Sequence, residues 1–298
     1  MKRVLVTGGL GFVGRHLVAR LIGENCDVDV VVRKESRRKT PPSWRGCVTC
    51  HEWDESTQGL MDILAQSKPD LVFHVASNFV AEHTPQQVEA IIQSNVVFGT
   101  QLLESMVAAN VHNLINFGTS WQHYKNQSYS PVCLYAATKQ AFEAILQFYV
   151  ESAGLRVITL KLFDTFGPDD DRGKLFSALM RIAKSGEVLN LSPGEQQVDF
   201  VYIDDVIDAA FLAADRLMTK VDSGMESYGV SSGAPLSLRN FIETVSRVIG
   251  KPLNVVWGAR PYRAREVMEL WTDFAPLPGW TAKYSLETGI RHTADSYV

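Results

Sequence analysis

The chain has 298 residues, 46% hydrophobic and 21% charged, which suits one large domain or a large domain with a smaller lobe and excludes a disordered chain. A net charge of −4 supplies no global basic field for nucleic acid or anionic lipid. The apolar runs are strand length, too short for a membrane span.

Met1-Lys2-Arg3 ahead of Val4-Leu5-Val6 resembles the start of a signal peptide, but Gly8, Gly9 and Gly11 cut the apolar run short. A cytoplasmic protein is expected, with Cys26, Cys47, Cys50 and Cys133 as scattered reduced thiols. Cys47-Val48-Thr49-Cys50 has no second pair to complete a zinc site, and the histidines show no ligand spacing, so no metal is expected.

In chain order, Arg3–Thr7 reads as a β-branched strand and Phe12–Ile22 as a helix with apolar residues at helical spacing. Val28–Arg33 and Asp70–Ala76 read as further strands. Gln86–Ala109 reads as a long helix, Val111–Gly118 as a strand, Leu134–Ala153 as a second long helix and Arg156–Leu162 as a strand. This alternation demands crossover connections, hence an α/β fold: a Rossmann-type, doubly wound parallel sheet with helices on both faces. After Gly167 the elements shorten and prolines 168, 193, 235, 252, 261, 276 and 278 mark the turns. Residues 1–167 are therefore expected to form the dinucleotide-binding domain. Residues 168–298 are expected to form mainly a mixed α/β substrate lobe that returns to the sheet in part.

Thr7-Gly8-Gly9-Leu10-Gly11-Phe12-Val13-Gly14 follows the first strand and opens the first helix. Gly8 permits the tight turn, Gly11 lets backbone approach a pyrophosphate, and Gly14 lets helix and strand pack closely. The helix start adds free amides and a positive dipole end. The second strand ends not in an acid, which would bind the ribose 2′-hydroxyl of NAD, but in Arg33-Lys34-Glu35-Ser36-Arg37-Arg38-Lys39. Arg33 and Arg37 suit a 2′-phosphate, so NADP(H) is favoured over NAD(H).

Tyr135-Ala136-Ala137-Thr138-Lys139 places Tyr135 and Lys139 one turn apart on a helix face. A nearby ammonium is expected to draw the phenol down from its ordinary pKa of about 10.

These motifs resemble the extended short-chain dehydrogenase/reductase family, the NAD-dependent epimerase/dehydratase group that acts on nucleotide sugars. Asp70–Ala76 resembles the family's fourth-strand motif, Asn95-Val96-Val97-Phe98-Gly99-Thr100 its N-V-x-G-T helix, and Asn116–Ser120 the strand ending in its catalytic Ser or Thr. The resemblance implies a catalytic set of Tyr135, Lys139 and Ser120, with Thr119 as the alternative hydroxyl. It implies cofactor contacts from Thr7, Gly8, Gly11, Phe12, Val13, Gly14, Arg33, Arg37, Asp54, His74, Ala76, Tyr135 and Lys139. It implies substrate contacts from Ser77, Asn95, Thr119, Ser120, Trp121 and Asp164.

Three departures matter. Dehydratases of the family carry Asp-Glu after the catalytic residue, where this chain has Trp121-Gln122. Asp164 stands in place of Asn in the N-V-Y-G-P motif, and Val198 in place of Arg in R-D-F-V-H-V-D-D-V. Arg260, Arg263 and Arg265 are candidates for the missing diphosphate contacts. Within the family the chain is most similar to nucleotide-sugar 4-ketoreductases of dideoxysugar pathways, such as CDP-abequose and CDP-paratose synthases. That implies NADPH-dependent reduction of a nucleoside-diphosphate 4-keto-6-deoxy (or 3,6-dideoxy) sugar. A 4-epimerase with tightly bound NAD and a non-catalytic NADP(H) sensor remain as alternatives. The resemblance also implies a homodimer pairing the two long helices, with no nucleic-acid or membrane partner.

Overall fold

The computed structural model describes residues 2–219 and 224–297, except the side chain of Arg38. The first half runs β1 (Arg3–Thr7), α1 (Phe12–Gly23), β2 (Asp27–Arg33), β3 (Val48–Trp53), α2 (Thr57–Ser67), β4 (Leu71–His74), α3 (Val88–Ile92), α4 (Phe98–Ala108), β5 (Asn113–Thr119), α5 (Leu134–Ala153) and β6 (Arg156–Leu162). The second runs β7 (Asp164–Phe166), α6 (Leu175–Ser185), β8 (Leu189–Asn190), β9 (Gln197–Val198), β10 (Phe200–Tyr202), α7 (Ile203–Thr219), β11 (Gly224–Val230), β12 (Leu236–Ser237), α8 (Leu238–Ile249), β13 (Val255–Val256) and α9 (Leu286–Asp295).

Seven strands form one parallel sheet in the order β11-β6-β5-β4-β1-β2-β3. The strand order reverses beside β1, and the carboxyl ends there open a crevice, the usual ligand position in a doubly wound sheet. β1 shows how the sequence builds two faces. Val4 and Val6 join the core on the side of α1 and α7, whereas Leu5 joins the core shared with α2, α4 and α5. Because alternate residues point to opposite faces, a strand covered on both sides must be apolar at every position. Truncating fully buried Leu5 to alanine costs about 2–5 kcal/mol.

Two elements that periodicity does not reveal lie at the sheet's far edge. β3 (VTCHEW) is an edge strand with an irregular polar pattern, and α2 follows it. The long helix expected over Gln86–Ala109 is present but not uniform. A 3₁₀ turn (Pro85–Gln87) leads into α3, and a π-helical segment (Gln93–Val97) joins α3 to α4.

Beyond β6 the chain leaves the sheet, builds three two-stranded pieces (β7 with β10, β9 with β12, β8 with β13), and returns through α7 and β11, which pairs with β6 along its length. α7 packs against α1 and β6, so part of the second half covers the sheet of the first. Among the described residues no helix is long and apolar enough to cross a membrane.

Candidate active site

A cleft of about 1200 Å³ runs along the carboxyl ends of the central strands. Its floor is the glycine turn. Gly8 has φ +71°, and a Cβ there would lie 2.5 Å from Ala76 N, so a bare backbone is what lets this turn meet the loop after β4. A Cβ on Gly14 would fall 2.1 Å from Gly8 O, which fixes the contact between α1 and the turn. Gly11 caps α1 in extended conformation, leaving the first amides of the helix unbonded within it and directed at the cleft. Phe12 and Val13 line the same wall. The bare backbone, the helix start and the size of the cleft fit a dinucleotide with its pyrophosphate over Gly8–Gly14.

Thr7 and His74 lie beneath this floor rather than in it. Thr7 Oγ1 and His74 Nδ1 are 2.8 Å apart, and Ala76 N–H donates to Thr7 Oγ1 at 3.4 Å. Burial, reinforced by Lys139, pushes His74 down to about 3, so it is a neutral ring packed on Phe98 and Phe142. Together they stitch β1 to β4 and leave Val75 and Ala76 to face the cleft.

At the outer end, Arg33, Ser36 and Lys39 line the rim beside Trp53 and Glu55. Arg33 is mostly exposed and pairs with Glu35 at 3.2 Å. Arg37 points elsewhere: it pairs with Glu52 at 3.3 Å and donates to Cys50 O at 3.2 Å. Ser36 and Lys39, unremarkable in the basic run, take the place expected of Arg37. Asp54 is likewise engaged in a turn, accepting from Ser56 N–H (3.0 Å) and Ser56 Oγ (2.7 Å) ahead of α2.

At the inner end, Tyr135, Lys139, Thr119 and Ser120 all line the cleft. The order follows from local structure. Thr119 ends β5 and caps a 3₁₀ turn over Ser120–Gln122, while Tyr135 and Lys139 lie in the first two turns of α5. The expectation that Lys139 lowers Tyr135 is corrected by burial. Desolvation raises the Tyr135 phenol to about 12, outweighing the opposing Ser77 hydroxyl. Desolvation lowers Lys139 to about 8 against the pull of Glu143. Tyr135 is therefore a protonated phenol at neutral pH, a donor rather than an acceptor.

Around this end, Trp121, Ser77, Phe79, Asp164, Arg172 and Lys174 complete the lining. The Phe79 ring meets Tyr135 edge-on at 4.9 Å and Trp121 at 5.7 Å. The Lys174 ammonium lies 4.5 Å above Phe79, and the Arg172 guanidinium 4.2 Å above Phe12. Arg172 is held by Asp170 (2.7 Å) and by Thr165 O (2.7 Å). Asp164 is pushed up by burial, with Lys174 as the main opposing cation.

Asn95 lies away from the cleft. It accepts from Asn78 N–H at 2.7 Å and donates to Asn78 O and Thr138 Oγ1, clipping the loop after β4 to α5. The arginines expected at a diphosphate are also placed otherwise. Arg263 forks onto Glu266 (2.7 Å) and covers the Trp121 ring at 5.0 Å. Arg265 donates to Ser130 Oγ at 2.6 Å. Arg260 is exposed and holds Leu191 O only through its backbone. Besides Lys139, the cations that line this end of the cleft, Arg172 and Lys174, sit in a loop without a motif. Their only sequence signal is a basic pair just ahead of a helix.

Among the described residues no group of three or more His, Cys, Asp and Glu side chains is gathered as a metal site. A dinucleotide cradle that leads to a Tyr–Lys pair defines a nicotinamide-dependent oxidoreductase. The sequence profile described as the NAD dependent epimerase/dehydratase family matches residues 4–225, and the chain belongs to that family. It is 27% identical to the CDP-abequose synthase of Salmonella muenchen over 97% of this chain and 96% of the relative. To the CDP-abequose synthase of Yersinia pseudotuberculosis it is 26% identical, covering 89% and 90%. Among solved structures, UDP-glucose 4-epimerase of Thermotoga maritima with UDP-glucose superposes with a TM-score of 0.87 at 23% identity, covering 99% and 98% of the two chains. The Thermus thermophilus UDP-glucose 4-epimerase complex with NAD gives 0.82 at 25% identity over the same shares.

Proposed function

We propose that the protein reduces the 4-keto group of a nucleoside-diphosphate 4-keto-6-deoxy or 3,6-dideoxy sugar at the expense of NADPH. The observation that carries this reading is the shared lining of one cleft by Arg33, Ser36 and Lys39 at one end and Tyr135, Lys139 and Ser120 at the other. Arg33 and Lys39 are the cations for a 2′-phosphate, and Ser36 adds a hydroxyl. The bound nicotinamide supplies the hydride. Tyr135 Oη, protonated at neutral pH, gives its proton to the substrate oxygen, and Ser120 Oγ donates a hydrogen bond to that oxygen. Lys139 holds the ribose and steadies the phenolate that Tyr135 becomes. Arg172 and Lys174 take the diphosphate, with Trp121 and Phe79 as the apolar wall beside the sugar.

Dehydration fits poorly. The residues after Ser120 are an aromatic that lines the cleft and Gln122, which is fully buried and turned inward. Relatives named CDP-abequose synthase at near full coverage support a deoxysugar substrate. Exposed Ile92, Val107 and Phe148 on α3, α4 and α5 support an isologous dimer through those helices. The test is Tyr135→Phe, expected to cut reductase turnover by about 10²–10⁴-fold while NADPH still binds. Near-full turnover in that variant overturns the reading.

A further inference from the structure

Behind the catalytic turn lies a buried polar network that the proposed chemistry does not use. Glu143 stands one turn beyond Lys139 on the same face of α5. Its Oε2 pairs with Lys161 Nζ of β6 at 3.1 Å, both side chains being about 7% exposed. Its Oε1 accepts from Gln122 Nε2 at 2.8 Å. Gln122 Nε2 also reaches Gln140 Oε1 (2.8 Å), and Gln122 Oε1 accepts from Thr119 N–H at 3.0 Å. Lys161 Nζ donates to His123 Nε2 at 2.8 Å, while His123 Nδ1–H donates to Gln127 O at 3.0 Å. His123 stacks on Trp271 at 3.9 Å. Gly118 makes room for all of this. A Cβ there would lie 2.8 Å from Gln122 Oε1 and 3.1 Å from Glu143 Oε1.

A buried ion pair is a weak source of stability, since apolar residues of the same volume serve as well or better. This one touches both halves of the catalytic apparatus. We propose that Glu143 is a positioning residue: through Gln122 it fixes the turn that presents Thr119 and Ser120, and it supplies the buried negative charge that faces Lys139. The proposal rests on the reading of Tyr135 and Lys139 as the catalytic pair. His74 from β4 faces Lys139 as a neutral ring, Tyr135 faces it as a neutral phenol, and Lys161 from β6 stands behind Glu143. Glu143 is the group that favours the Lys139 cation.

The two partners then act on Lys139 with opposite sign. Glu143→Gln removes the carboxylate and leaves Lys161 unpaired, so Lys139 loses its proton more readily. Lys161→Met leaves the carboxylate unshared, so Lys139 holds its proton more firmly. The test follows the Lys139 ammonium by NMR of nitrogen-labelled lysine in the free protein, assigned with Lys139→Met, alongside kcat/KM against pH. The expected result is a shift in proton affinity of about threefold to tenfold, downward for Glu143→Gln and upward for Lys161→Met. The alkaline limb of kcat/KM moves the same way, and Glu143→Asp recovers most of the activity.

Should Glu143→Gln fail to fold, the uncharged double variant Glu143→Gln/Lys161→Met takes its place and is expected to shift downward. Unmoved or same-direction shifts in the single variants overturn the proposal, as does an unmoved double variant. The NMR titration needs no substrate. An inactive wild-type enzyme overturns the functional reading, whereas an unmoved Lys139 overturns only the role of Glu143.

Discussion

The two ends of the cleft are built by different means. The dinucleotide end is made of backbone: a turn, a helix start and four glycines within seven residues, of which Gly8, Gly9 and Gly14 would each bring a Cβ to 2.7 Å or less from a neighbouring atom. The sugar end is made of side chains brought together from distant segments, with Phe79, Trp121, Asp164 and the Arg172–Lys174 loop on four separate stretches. A backbone cradle tolerates no change of shape but needs no particular side chain. A side-chain pocket keeps its shape through substitution but changes what it binds. Substrate identity in this fold is therefore free to vary while cofactor binding stays fixed.

The largest expected effect breaks the backbone end. Gly14→Val puts atoms within 2.1 Å of Gly8 O, and the cost is about 3 kcal/mol of stability with loss of NADPH binding, read by urea denaturation and by nicotinamide fluorescence. Next comes the rim. Arg33→Ala with Lys39→Ala is expected to lower kcat/KM for NADPH by about 10–100-fold through lost charge-assisted bonds, with NADH nearly unchanged. A parallel loss with both cofactors contradicts the phosphate role. At the side-chain end, Lys139 is charged below about pH 8 and neutral above it, so kcat/KM falls on the alkaline side from there, while Tyr135 at about 12 stays protonated throughout.

The smallest effect is on stability. His74 and His123 are held neutral at about 3 and 4, while in the unfolded chain they bind protons near 6.5. The unfolded state takes up more protons in that window, so stability is full above about pH 6.5 and declines as pH falls toward 4. Thermal melting between pH 7 and pH 5 checks the sign.

How much of this was legible in the sequence follows the same division. The glycine loop, the Tyr135–Lys139 pair and the serine at the end of β5 are local patterns whose spacing fixes their geometry once the strand–helix alternation is recognised. Leu134–Ala153 and Arg156–Leu162 have the bounds that their periodicity suggests. β3 escaped notice because an edge strand carries no continuous apolar run. Asn95 and Arg37 have side chains suited to ligands, yet each is engaged by neighbours that only the tertiary structure supplies, while Asp54 is taken up by the local turn with Ser56. Arg172 and Lys174 were invisible for the converse reason, because nothing in Asp169–Lys174 shows that the loop folds back over Phe12 and Phe79.

The most direct test of the central claim is the absorbance of reduced nicotinamide when the purified protein meets NADPH and 4-keto-6-deoxy sugars carried on CDP, dTDP, GDP or UDP. The account predicts stoichiometric loss of NADPH with one nucleotide series and little loss with NADH. Interconversion of nucleotide sugars by a retained cofactor, with no net NADPH consumed, would contradict it and make the protein an epimerase.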